Sequence, residues 1–124
     1  MLKWGYLAAG GVVGVFSRYW LAGAIYKKLG TAFPSGTLVV NLSGCLFIGI
    51  FNSLAEERLL LGPNERLLLM TGFCGAYTTF STLMLETSNL VGDGEVLYAL
   101  GNILISAIFG FLIFRLGAWL GKTI

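Results

Sequence analysis

The sequence predicts an all-α membrane protein of four transmembrane helices, the third broken at mid-membrane. Three observations carry that expectation. Of 124 residues, 56% are hydrophobic and only 11% are charged, against roughly 25% charged in ordinary soluble domains. Four apolar stretches, at about 4–26, 33–54, 66–90 and 96–121, each have the ~20 residues needed to cross ~30 Å of hydrocarbon. The third stretch places glycine and hydroxyl residues at the depth where a lipid-facing helix is most apolar. Together the stretches use nearly the whole chain, so residues 1–124 read as a single transmembrane domain.

The first span, flanked by Lys3 and by Lys27 and Lys28, has no Ala-x-Ala-like cleavage site and is expected to be retained. Trp4, Tyr6, Trp20 and Tyr26 near its ends suit interfacial anchors. Gly10 and Gly14 permit close approach of another helix. Arg18 shares their face, and two readings stay open for it: snorkelling toward Lys27, or a vestibule that attracts anions. Gly30 and Pro34 mark the break before the second span. Mid-span Asn41 lies one turn from Thr37 and from Gly44 and Cys45. That face is either interhelical glue, contributing about 0.6–2 kcal/mol, or the wall of a path.

After the polar loop AEERLLLGPNER, the third span carries Gly72, Gly75, Tyr77, Thr78, Thr79, Phe80, Ser81 and Thr82. The two glycines are expected to permit a bend, and the five hydroxyls to replace lost helix bonds. Irregular backbone at membrane depth survives only where protein shields it or where it lines a water-filled cavity. A break exposes carbonyls at one half-helix end and N–H groups at the other, as in the ion sites of discontinuous helices. The competing reading is an unbroken helix whose Ser and Thr bond back to their own carbonyls. Glu86 is the only carboxylate within a span; it either couples a cation or proton or bonds Ser or Thr near the far interface. In the fourth span Tyr98, Asn102, Ser106 and Gly110 draw a stripe of polar and small residues.

The net charge of +2 arises from 8 basic and 6 acidic residues scattered along the chain. With no clustered basic face, a nucleic-acid partner is excluded. There is no histidine, and Cys45 and Cys74 lie inside apolar stretches, which removes the support for zinc, a disulfide framework and a catalytic dyad. No enzymatic activity is expected. Basic residues divide five to three between the two ends of the spans, a bias so slight that a single orientation with both termini on the cytoplasmic side and insertion in both orientations stay equally open. Asn, Ser, Thr and Tyr donors with Phe ring edges suit a small anion. Without a mid-depth Lys or Arg, binding stays weak enough for the ion to leave. Four short helices cannot both enclose a pore and cover it from lipid, so an oligomer is expected.

Gly11-x-x-Gly14-x-x-x-Arg18-Tyr19, GTLVVNLSG at 36–44 and GFCGAYTTFST at 72–82 together resemble the Fluc (CrcB) family of bacterial fluoride channels, along the whole chain. The resemblance implies an antiparallel dual-topology homodimer in the bacterial inner membrane. It further implies passive fluoride export through two pores at the subunit interface and relief of fluoride toxicity. It implies a central structural sodium ion held by backbone carbonyls of Gly75 and Thr78 from both subunits. Asn41 matches the pore asparagine and Phe80 the first pore phenylalanine. Ser81 and Thr82 match the polar track, followed by Glu86. Arg18 matches the vestibule arginine, with Thr37 and Ser106 as further polar wall groups. Leu83 departs from the pattern, standing where the family has a second pore phenylalanine; the loss of that ring edge is expected to lower throughput. Two other classes stay open. One is a small dimeric proton-coupled multidrug exporter, although its first span would need a carboxylate and holds Arg18 instead. The other is a structural membrane subunit.

Overall fold

The computed structural model describes all 124 residues, and its regular structure is entirely helical. Helix α1 covers Leu2–Leu29 and α2 covers Ser35–Glu56. Helix α3 starts at Pro63–Arg66, continues as a π-helix over Leu67–Cys74 and ends with the turn Gly75–Tyr77. Thr78 and Thr79 are extended, α4 covers Phe80–Gly92 and α5 covers Val96–Thr123. Four segments are long and apolar enough to cross a membrane, with α3 and α4 sharing the third, Pro63–Gly92. The helices overrun the apolar stretches at most ends. At 28 residues, α1 is about 42 Å long, so its charged and aromatic ends reach past the hydrocarbon.

Between apolar helices in lipid there is little hydrophobic drive, and association depends on close packing and hydrogen bonds. Here glycine supplies the closeness. A Cβ added at Gly10 would stand 2.1 Å from the Leu68 carbonyl oxygen, and one at Gly14 would stand 2.5 Å from that of Phe73. The close approach expected of these glycines is therefore made to α3. The α2–α5 contact uses the same device: a Cβ at Gly49 would lie 2.3 Å from the Phe114 carbonyl oxygen, and one at Gly117 2.3 Å from that of Leu46. Buried Ser53 donates to the Ala118 carbonyl at 2.5 Å across this seam.

Two features differ from the sequence expectation. The glycines of the third span do not make its bend. Gly72 is packing surface, with its would-be Cβ 3.1 Å from the Gly10 Cα, and Gly75 is helical at φ −62° and ψ −35°. The chain leaves the helix at Thr78 (φ −88°, ψ 157°) and Thr79 (φ −152°, ψ 112°), extended conformations open to any L-residue. The π-helix is the second difference. Nothing in the apolar run LLLM distinguishes it from α-helix, because π geometry depends on the fit against a neighbour rather than on local preference.

At the end of the bundle holding the termini, Arg66 donates to Glu56 at 2.5 Å and to the Ala55 carbonyl at 2.9 Å. Lys122 pairs with Glu57 at 3.2 Å. Such exposed pairs contribute about 0–1 kcal/mol each, so they fix the loop more than they hold the fold. Gly10→Ala is expected to destabilise the protein by about 1–3 kcal/mol or more, since its methyl would meet backbone that cannot swing away. Gly5→Ala, with open space around it, is expected to leave stability unchanged. Thermal unfolding of both purified variants in the same detergent checks the contrast.

Candidate functional site

The break in the third span is held from outside. Thr78 still closes the end of α3, its N–H and hydroxyl both donating to the Cys74 carbonyl at 3.1 and 2.9 Å. At Thr79 the helix ladder stops. Its N–H donates to Oδ1 of Asn41 at 2.8 Å, and its carbonyl accepts from Nδ2 of Asn41 at 3.1 Å. The primary amide thus replaces both backbone partners that Thr79 loses. Gly44, one turn further along α2, makes room for this: a Cβ there would lie 2.1 Å from Cγ2 of Thr78. On the far side Arg18 donates through Nε to the Ala76 carbonyl at 3.1 Å, an oxygen that a continuous helix would give to Phe80. Thr79 then caps α4, its hydroxyl oxygen accepting from the Thr82 N–H at 3.2 Å, as Thr at an N-cap does.

Two open clefts flank the break, and Thr79 lines both. The first, of about 810 Å³, takes in Arg18, Thr37, Thr82 and Glu86. The second, of about 630 Å³, takes in Asn41, Gly75, Thr78, Phe80, Leu83 and Ser106. Arg18 accordingly combines a helix-capping bond with a place in the first cleft, rather than simply snorkelling to the interface. Glu86 bonds hydroxyls, accepting from Tyr26 at 2.8 Å and from Thr37.

Ser81 lines neither cleft. It is exposed, and its hydroxyl lies 3.4 Å from that of Thr79. Phe80 and Leu83 differ sharply in environment, the ring 72% exposed and the leucine 8% exposed. Ser106 has a buried hydroxyl without a hydrogen-bond partner, and one turn away Asn102 has a buried Oδ1 without one. The other end of the Asn102 amide donates to Thr87 at 3.0 Å.

Gly75 and Thr78 line the same cleft. The Thr79 N–H that a continuous helix would direct at the Gly75 carbonyl is turned to Asn41 instead. The local backbone therefore offers a carbonyl relieved of its helix donor, beside the exposed Gly75, as a hard monovalent cation would require. Two participants hold roles the sequence did not assign them: Thr79 was expected only as one of the hydroxyls that replace lost helix bonds, and Tyr26 only as an interfacial anchor. Thr79 was legible in principle, since Thr79-x-x-Thr82 has the spacing of an N-cap and its N3 residue. Tyr26 was not, because an aromatic near a span end has the same signature as an interfacial anchor.

A four-span protein whose interrupted third span is held open by neighbouring side chains is of the class from which ion pathways in membranes are built. The chain belongs to the CrcB family: the family profile described as "CrcB-like protein, Camphor Resistance (CrcB)" matches residues 5–118. It is similar to the "Fluoride-specific ion channel FluC" of Maridesulfovibrio salexigens, 46% identical over 124 residues that cover 100% of this chain and 98% of that protein. A protein of the same name from Solidesulfovibrio magneticus is 43% identical, covering 98% of each chain. Another from Rhodospirillum rubrum is 42% identical, covering 95% of this chain and 90% of that one. The family and the four apolar segments place the chain in the bacterial inner membrane as a multi-pass protein.

Asn41→Ala is expected to cost about 2 kcal/mol or more, because it strands the N–H and carbonyl of Thr79 together. Ser81→Ala is expected to be neutral for stability. Comparative thermal melts of the two variants check this.

Proposed function

We propose that the chain is a passive channel that exports fluoride from the cytoplasm. It would act as an antiparallel dual-topology homodimer with two pores and a central structural sodium ion. The observation that carries the reading is the Asn41-held break, with a cleft on either side of it. The name shared by the relatives supplies the ion.

Each end of the route asks something different of its residues. Arg18 and Lys27 line the first cleft together with Glu86 and Asp93; the two basic side chains would draw an anion in their own vicinity without fixing it at mid-depth. Deeper in, a dehydrating fluoride would exchange water for neutral donors. The Asn41 amide carries two N–H donors, of which one serves the Thr79 carbonyl and the second is free for an anion. The Phe80 ring edge adds positive quadrupole potential, and Thr82 and Ser106 add hydroxyls. Ser81 would join this track from outside the two clefts of one subunit, at the face turned to a second copy.

The dimer reading rests on what one subunit leaves uncovered. Phe80 is 72% exposed and Gly75 is exposed beside it. A second, inverted copy over this face would bury the ring and bring two sets of Gly75 and Thr78 carbonyls together around a sodium ion. That ion's part would be to neutralise carbonyl dipoles at the interface, and the chain's own part would be to hold those carbonyls outward. Leu83, buried where Phe80 is exposed, keeps the bulk of the family's second phenylalanine without its ring edge.

The test is fluoride release from liposomes, followed with a fluoride electrode and repeated with chloride. Wild-type protein is expected to release fluoride in the presence of a protonophore. Asn41→Asp and Phe80→Ile are each expected to slow release by about tenfold or more, the scale of one lost favourable contact at an ion site. Release undiminished in both variants would move the path elsewhere. Leu83→Phe is expected to raise the rate, and an unchanged rate would discard the role given to that ring. Replacing sodium by a bulky organic cation is expected to lower the dimer's thermal stability, and an unmoved melting point would remove the sodium site.

A further inference from the structure

Glu86 lies well inside the third span, whereas Glu56 and Glu65 lie in a last and a first helical turn, and with Asp93 it lines a cleft that the reading above gives to an anion. An unrestrained carboxylate there would oppose the traffic. The side chain is restrained by two other helices. Tyr26 of α1 donates its hydroxyl to Oε2 at 2.8 Å, and Thr37 of α2 donates its hydroxyl to Oε1. Each hydroxyl has a single proton, so both are committed to the carboxylate. The 3.2 Å contact between the two hydroxyl oxygens is thereby left without a proton of its own. It is stabilised instead from the backbone, where the Thr37 N–H donates to the Tyr26 oxygen at 3.3 Å.

The tyrosine ring is itself seated. A Cβ added at Gly36 would stand 2.6 Å from Cε2 of Tyr26 and 2.7 Å from the Ala22 carbonyl oxygen. The absence of a side chain at the start of α2 is what admits the ring between α1 and α2. Thr37 is 5% exposed, so the triad is anchored on a buried side chain, and all three of its members line the cleft.

We infer that Tyr26 is a positioning residue: its hydroxyl, seated by Gly36, clamps Glu86 against the cleft wall so that the carboxylate charge does not swing into the anion's way. The inference rests on the proposed anion route. It assigns to Tyr26 a task distinct from anchoring the helix in the interface, which the ring alone would accomplish.

The discriminating variant is Tyr26→Phe, which keeps the ring and removes one oxygen. Fluoride release is expected to fall by about tenfold, the scale of one charge-assisted hydrogen bond. In a Glu86→Gln background the same Tyr26→Phe change is expected to have little further effect, because the clamped charge is gone. Equal losses in both backgrounds would make Tyr26 merely structural and overturn the inference, as would wild-type release from Tyr26→Phe. A readout independent of transport is the Glu86 carboxylate band, identified by infrared difference between wild type and Glu86→Gln. Tyr26→Phe is expected to shift that band, and an unmoved band overturns the clamp. Should wild-type protein release no fluoride while the band shifts, the clamp stands and the anion route falls.

Discussion

The structure depends on one exchange: the amide of Asn41 takes the place of two backbone groups at Thr79. In water, an interrupted helix can lend its loose N–H and C=O groups to solvent. In hydrocarbon it cannot, and each group left bare costs several kcal/mol. A primary amide is the one neutral side chain that presents a donor and an acceptor side by side with peptide-like spacing. Placed on α2 opposite the break, it lets the third span leave the helix without an unpaired group at that residue. Charge would not serve as well there, since an aspartate offers acceptors only and a lysine donors only.

That exchange needs the helices closer than side chains normally allow, and the glycines supply the distance. Gly44 admits Thr78 against α2, while Gly10 and Gly14 bring α1 onto the carbonyl side of the π-helix. With α1 thus placed, Arg18 reaches the Ala76 carbonyl, and with α1 against α2 at Gly36, Tyr26 reaches Glu86. The polar contacts are consequences of backbone approach. They also divide the work at the break, where Asn41 satisfies the residue that has left the helix and Arg18 the last turn before it. The carbonyl of Gly75 has also lost its helix donor, the Thr79 N–H that turns to Asn41 instead, on the side where the proposed route would place a cation.

The four spans were legible in the sequence because length and hydropathy are set by the thickness of the membrane, whatever the tertiary contacts. The density of hydroxyls at 77–82 marked the broken segment correctly, since no lipid-facing helix carries it at little cost. The exact device was less legible. Glycine was expected to make the bend, yet an extended pair of threonines makes it, because glycine is required only where φ is positive or where backbones touch. Gly72 meets the second requirement and Gly75 neither. That Glu86 bonds a Ser or Thr was one of the two readings open for it, and Thr37 is that partner. The π-helix and the place of Tyr26 in the triad were invisible for a common reason: both are set by the fit between helices that are remote in sequence. Recognition of the family motif brought Asn41 and Phe80 forward, but it carried no signal for Tyr26.

Phe80 and Leu83 show how the same helix can serve two surfaces. Three residues apart on α4, they are close to one face, yet the ring is left outside the subunit and the leucine is packed within it. The inner position is answerable to the fold, where leucine and phenylalanine both satisfy an apolar environment and differ mainly in volume and shape. The outer position is answerable only to what lies beyond the subunit. A large ring standing free at membrane depth, next to a broken helix and an uncovered glycine, gains nothing from lipid that leucine would not give. Its electrostatic edge has value only if something charged passes or a second protein surface closes over it, and both follow from the dimeric channel proposed here. Leucine at the inner position is thus compatible with an intact fold.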